Sequence, residues 1–238
     1  MIAIANEAQG HNRRSALAVP LEGIVIDGDL SDWPEDLPVY RIRDNTDAYG
    51  LTDLTEVNLD TSEDFSPEFM VGYSTEKQLL YVAIRARDDV IGEMDGCEVY
   101  LSAHGAEKLF QSFTLAPRSE TTGEEYTPEL SIFLSFGFYD MLPGVSTRIR
   151  QNLFKKSGWQ LATSIVGNTA IYEWALIPLK GASIEKAERI LLEPGLRLAF
   201  DVTAQDKDSE NDTQAWVAWS PMGNKSRNRV GDLILLEE

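Results

Sequence analysis

Carboxylates are the side chains here whose type and spacing could do chemistry. Asp206-Lys207-Asp208-Ser209-Glu210-Asn211-Asp212 sets hard oxygen donors at alternate positions, the pattern that calcium coordination uses. It is not an EF-hand loop, because the sixth position is Asn211 and the twelfth Val217. A second cluster is Asp88-Asp89, followed across one loop by Asp95 and Glu98. Acids ending neighbouring strands repel each other unless a cation or solvent separates them. The expectation is a structural calcium held by carboxylates drawn from Asp88, Asp89, Asp206 and Asp208, with solvated acidic turns as the plain alternative.

Signatures of catalysis are missing. His11 and His104 lie far apart, and no G-x-S-x-G elbow marks a serine nucleophile. There is no G-x-x-x-x-G-K-[ST] loop and no G-x-G-x-x-G. One cysteine and two histidines make a poor zinc set. Haem needs axial ligands, yet Met70, Met94, Met141 and Met222 carry no motif. Paired acids could hydrolyse glycosides, but with 39 acidic residues adjacent acids arise by chance. The chain reads as a binder and not as an enzyme.

Aromatic faces are the other candidate ligand surface. Sugars stack their C–H patches on aromatic rings while their hydroxyls meet polar groups. The tryptophans are Trp33, Trp159, Trp174, Trp216 and Trp219. Trp216 and Trp219 stand at an odd separation, so a regular strand sends them to opposite faces. Ser220-Pro221 and a polar loop follow at once, which puts Trp219 near donors from Asn224, Lys225 and Arg227. These residues form the expected sugar face, with Trp216 as the alternative platform. Trp33 is expected to be buried beside a tight turn at Asp27-Gly28.

The elements that must position these groups are strands. Leu79–Arg87 alternates cleanly, with Leu80, Val82, Ile84 and Ala86 on one face and Tyr81, Ala83, Arg85 and Arg87 on the other. Glu68–Ser74 precedes it as a hairpin partner, Leu196–Ala204 repeats the pattern, and Ile171–Ile177 is stopped by Pro178. Further runs lie at 97–102, 109–115, 130–136, 145–151, 158–166, 213–219 and 232–236, and one short helix is expected near 184–189. Such short strands and frequent turns predict a two-sheet antiparallel β-sandwich, jelly-roll-like, over 21–238. Residues 1–20 read as a lead-in without a core of their own, and 44–67 as a long acidic loop.

Composition narrows the partners. A net charge of −18 repels phosphate backbones and anionic headgroups, so nucleic acid and lipid surfaces are poor partners. Neutral ligands, cations and basic proteins fit better. Cys97 stands alone in a strand and reads as a small buried apolar group. No apolar run is long enough to span a membrane. The first residues lack a basic segment and a long apolar stretch, so a cytoplasmic protein and a chain starting after an export signal both fit.

Read in order, several segments resemble the family-nine carbohydrate-binding modules and their domain relatives. Ile26-Asp27-Gly28-Asp29-Leu30-Ser31-Asp32-Trp33 is similar to their "IDG–x–x–DW" opening. Leu80–Ala86 leading into Asp88-Asp89, then Asp95-Gly96-Cys97-Glu98-Val99-Tyr100-Leu101, resemble the "LYVA–D" and "D–x–x–E–x–F–L" strands. Tyr172-Glu173-Trp174-Ala175-Leu176-Ile177-Pro178 resembles "YE–x–x–IP". Phe200–Asp208 and Gly231–Leu235 complete the set with "D–x–D" and "G–x–L–x–L". The resemblance implies a sandwich with structural calcium that grips a sugar end between two tryptophans. No tryptophan stands between Trp33 and Trp159, where the first of that pair is expected. It further implies a non-catalytic carbohydrate-binding or ligand-sensing module, extracytoplasmic and part of a larger protein. A structural or protein-interaction sandwich is the competing reading.

Overall fold

A computed structural model describes residues 14–42, 65–91, 95–104, 109–119, 126–136, 158–180, 188–206, 215–220 and 230–237. For 109–119, 126–136 and 215–216 only the strand backbone is described. Two sheets face each other. Sheet A runs β7 (Tyr126–Phe136), β6 (Leu109–Ser119), β5 (Gly96–Ala103), β10 (Arg197–Asp206) and β12 (Gly231–Leu235), with β11 (Ala215–Ala218) also paired to β10. Sheet B runs β3 (Phe65–Ser74), β4 (Leu79–Asp88), β9 (Thr169–Leu176) and β8 (Gln160–Val166), with β2 (Tyr40–Arg41) on β3. β1 (Ser15–Pro20) joins them: Ser15–Ala18 pair with β12 and Val19–Pro20 with β3.

The fold is the expected all-β sandwich, with two differences. β1 runs parallel to both neighbours, so the sheets are mixed and not purely antiparallel. Residues 15–20 are therefore a connecting strand and not only a lead-in, and Ala16 and Ala18 are fully buried in the core. Small side chains suit a strand squeezed between two sheets, and they carry little hydrophobic signal. The segments expected as a strand at 145–151 and as a helix at 184–189 lie largely outside the described residues.

Alternation decides the core. Phe69, Val71 and Tyr73 of β3, Val82 and Ile84 of β4, and Tyr172 and Trp174 of β9 face Val99, Phe200, Val202 and Leu233 of sheet A in one apolar cluster. β4 is nonetheless buried on both faces over Leu80–Ile84. The reason is a second layer, in which Leu21, Ile24, Trp33 and Leu37 lie over Met70, Tyr81, Ala83 and Ala175 on the outer side of sheet B. Gly72 admits this layer, because a Cβ there would sit 2.1 Å from Leu21 Cδ1.

Glu173 locks that layer down. Its Oε2 accepts the backbone N–H groups of Gly28 at 2.6 Å and Asp27 at 3.1 Å. Its Oε1 accepts Trp33 Nε1–H at 2.8 Å. Burial pushes the carboxyl above its ordinary value of 4.5, while these three donors pull the other way. Gly28 adopts a φ of 85°, and Ser164 Oγ donates to its carbonyl at 2.6 Å. Trp33 is buried beside the Asp27-Gly28 turn, as the sequence predicts, and Glu173 joins the two into one hydrogen-bonded unit.

Candidate binding face and metal centre

The core-facing rows of β4, β5 and β10 each reach an acid at one end of the sandwich. Counting by twos from Leu80 along β4 leads to Asp88, and from Phe200 along β10 leads to Asp206. Asp95 precedes Cys97 by two, and the register pairing Gly96 with Gln205 sets Asp95 beside Asp206. Asp88, Asp95 and Asp206 are all buried, and one carboxylate oxygen from each lies within 4.8 Å of the others. Two ligands on one calcium can be at most about 5 Å apart, given bonds of about 2.3–2.6 Å. Hard oxygens, buried and convergent, fit such an ion. The same field reaches the neighbouring core. Burial first, then Asp95 and Glu98, hold the Cys97 thiol well above its ordinary range. Burial first, then Cys97, Asp95 and Asp88, do the same to the Tyr172 hydroxyl.

Of the expected ligands, Asp88 and Asp206 are brought together, and Asp95 completes the set. Asp89 is exposed, because it follows Asp88 by one position and takes the opposite side. Asp208 lies outside the described residues. Glu98 is three positions from Asp95, so it leaves the cluster for the outer face of sheet A. There Tyr100 donates its hydroxyl to Glu98 Oε2. Thr203 Oγ1 donates to the same oxygen at 3.4 Å.

That outer face is polar yet closed. Besides Glu98 it carries Asp201, Thr203 and Asp232, each at most 1% exposed. Asp201 Oδ1 accepts the N–H groups of Val202 at 2.9 Å and Ser220 at 3.0 Å. Ser220 Oγ is buried without a hydrogen-bond partner among the described residues. Tyr100, Ala199 and Val230 form the small apolar patch on this side. The arrangement is a set of fixed acceptors and hydroxyls just beneath the outer face of sheet A.

Trp219 is not part of such a face, which corrects the expectation drawn from its polar surroundings. It lies in the inter-sheet core, 5% exposed. Its ring centroid is 5.5 Å from that of Phe69 and 6.2 Å from those of Phe200 and Tyr40. The physical reason is room: Gly231 leaves a slot in which a Cβ would come within 2.3 Å of the indole. Trp216 is placed by backbone alone, opposite Gln205 in the β10–β11 register. Asn224, Lys225 and Arg227 lie outside the described residues.

No protein-family profile matches the chain, and no curated protein matches it. Solved structures do. A family-nine carbohydrate-binding module from Caldicellulosiruptor kristjanssonii in complex with cellotriose superposes with a TM-score of 0.60 at 12% identity, covering 94% of this chain and 95% of that one. A structure of a family-nine module from the same organism, in complex with glucose, gives 0.59 at 12% identity, with 94% and 97% covered. A candidate carbohydrate-binding protein from Bacteroides uniformis gives 0.53 at 11% identity, with 95% and 99% covered. The ordered motifs, the sandwich and these superpositions agree that the chain has a fold like that of the family-nine carbohydrate-binding modules.

Proposed function

We propose that the protein is a non-catalytic carbohydrate-binding module that reads sugar hydroxyls on the outer face of sheet A. The observation that carries this reading is the contrast between the two outer faces. Sheet B is covered by the apolar Trp33 layer over Met70, Tyr81, Ala83 and Ala175. Sheet A instead holds polar groups beneath its outer surface, Glu98 bonded by Tyr100 and Thr203 and partly reachable at 8% exposure, beside the buried Asp201 and Ser220. A carboxylate fixed by its own neighbours is preorganised to accept from a ligand without paying for its ordering at that moment. The similar solved structures that hold cellotriose and glucose support the ligand class. With Trp219 in the core, the aromatic candidate left by the sequence is Trp216, the alternative platform.

Calcium belongs to the same reading, held by Asp88, Asp95 and Asp206 with remaining positions filled by backbone or water oxygens. Its part is structural: it neutralises three acids that end strands of both sheets, and so ties the sheets together at that end. An extracytoplasmic setting within a larger protein goes with this function. Among the described residues no helix is long and apolar enough to cross a membrane. A glycan array in calcium buffer, read for the parent and for Glu98→Gln, tests the function. Selective signals for neutral saccharides that vanish in the variant are expected. An array blank for the parent overturns the reading in favour of a structural or protein-interaction module.

A further inference from the structure

Beside the Trp33 layer, a part of the outer face of sheet B that no described residue covers forms a cleft of about 410 Å³ lined by Arg41, Ser66, Glu68, Arg85, Arg87 and Thr169. Strand register puts them on one side. Arg41 stands opposite Glu68 and Glu68 opposite Arg85. Ser66 stands opposite Arg87 and Arg87 opposite Thr169. Three guanidinium groups thus crowd one patch of a chain with only 21 basic residues against 39 acidic ones. Arg85 and Arg87 stand two positions apart on one side of β4 and Arg41 lies beyond Glu68 on β2, so the positive charges share one patch without standing directly opposite one another. Glu68 answers one: Arg85 Nη2 lies 2.5 Å from Glu68 Oε1. That leaves two of the three cations without an anion among the lining residues. Arg85 Nε is in addition buried without an acceptor among the described residues.

We infer that this cleft is a second binding site, for an oxyanion such as the carboxylate of an acidic sugar. Guanidinium forks match planar carboxylates two bonds at a time, which lysines do not. Ser66 and Thr169 supply hydroxyls that can bond neutral parts of the same ligand. The volume falls in the range of about 300–1,000 Å³ usual for small-molecule sites. The site shares no residue with the outer face of sheet A, so it stands or falls separately from the neutral-sugar reading.

The test is calorimetric titration of the full chain with glucuronate, galacturonate, sulfate and glucose. At least one uronate is expected to saturate one site, and Arg41→Gln with Arg87→Gln together to weaken it by about tenfold or more. Both arginines are exposed, so the double variant keeps its fold. Glu68→Gln removes the competing carboxylate and is expected to tighten binding about two- to fivefold. Saturation by sulfate as well, lost in the double variant, extends the site to sulfated ligands. Absence of saturation by every anion, or undiminished binding by the double variant, overturns the inference.

Discussion

Replacing Glu173 by Gln is the sharpest test of what holds the Trp33 layer to sheet B. The carboxylate accepts from Trp33 Nε1 through one oxygen and from the Asp27 and Gly28 amides through the other. A glutamine has one acceptor oxygen. Turned toward the two amides, it sets its NH₂ against the indole N–H; turned toward the indole, it abandons both amides. The milder choice leaves one buried donor unmet, about 1–3 kcal/mol, and weakens two bonds from charged to neutral acceptors. The relief of desolvating a charge offsets part of this, for a net loss of about 2–3 kcal/mol. In a chain of this length that is a fall of about 4–12 °C in melting temperature. Trp33→Phe removes the donor together with part of the packed ring, and because the donor is shared with Glu173 the two changes should overlap by about 1 kcal/mol or more in a double-mutant cycle in urea. The pH dependence has a definite sign. Because the folded carboxyl titrates above 4.5, the native state holds more protons just above that pH. The parent's stability margin over the variant should therefore narrow as pH rises from about 4.5 through the folded value. A loss below about 0.5 kcal/mol for Glu173→Gln, or strict additivity with Trp33→Phe, would refute this account of the layer.

Calcium at about a hundred times its dissociation constant should stabilise the metal-stripped protein by about 2.7 kcal/mol, read as a higher melting temperature that chelator reverses. Asp206→Asn should show a reversal of sign: more stable than the parent in chelator, where it relieves crowding among three acids, and unresponsive to calcium. Equal melting of the parent in both buffers contradicts the metal assignment. Trp219→Ala should cost about 3–5 kcal/mol in chemical denaturation, as a core truncation does. A Trp219→Ala protein as stable as its parent would put the indole outside the core.

Much of this was legible where the signal is local. Alternation locates β4, β9 and β10, and the same parity continued past Ala86 selects Asp88 over Asp89. The Asp27-Gly28-to-Trp33 motif announces a turn beside a buried ring, but not Glu173, which comes from a strand 140 residues further along than Trp33. Pairing of distant strands has no local mark. That is why Asp95 joins the metal cluster only once β5 lies beside β10. Glu98 stands close to the metal acids in sequence, yet its odd separation from Asp95 sends it to the outer face. Trp219 was misread because its neighbours Ser220 and Pro221 are loop-like, while the space that receives it is made by Gly231, from another strand. Ala16 and Ala18 are core residues too small to show a hydrophobic pattern.

The central claim is that the outer face of sheet A binds neutral saccharide through Glu98. Calorimetric titration of the calcium-loaded protein with cellotriose, beside Glu98→Gln and the Arg41→Gln, Arg87→Gln double variant, tests it most directly. The account predicts one saturable site in the parent, its loss in a Glu98→Gln variant that still unfolds cooperatively, and its retention in the arginine variant. Cellotriose binding that survives in Glu98→Gln, or that is absent from the parent, contradicts it.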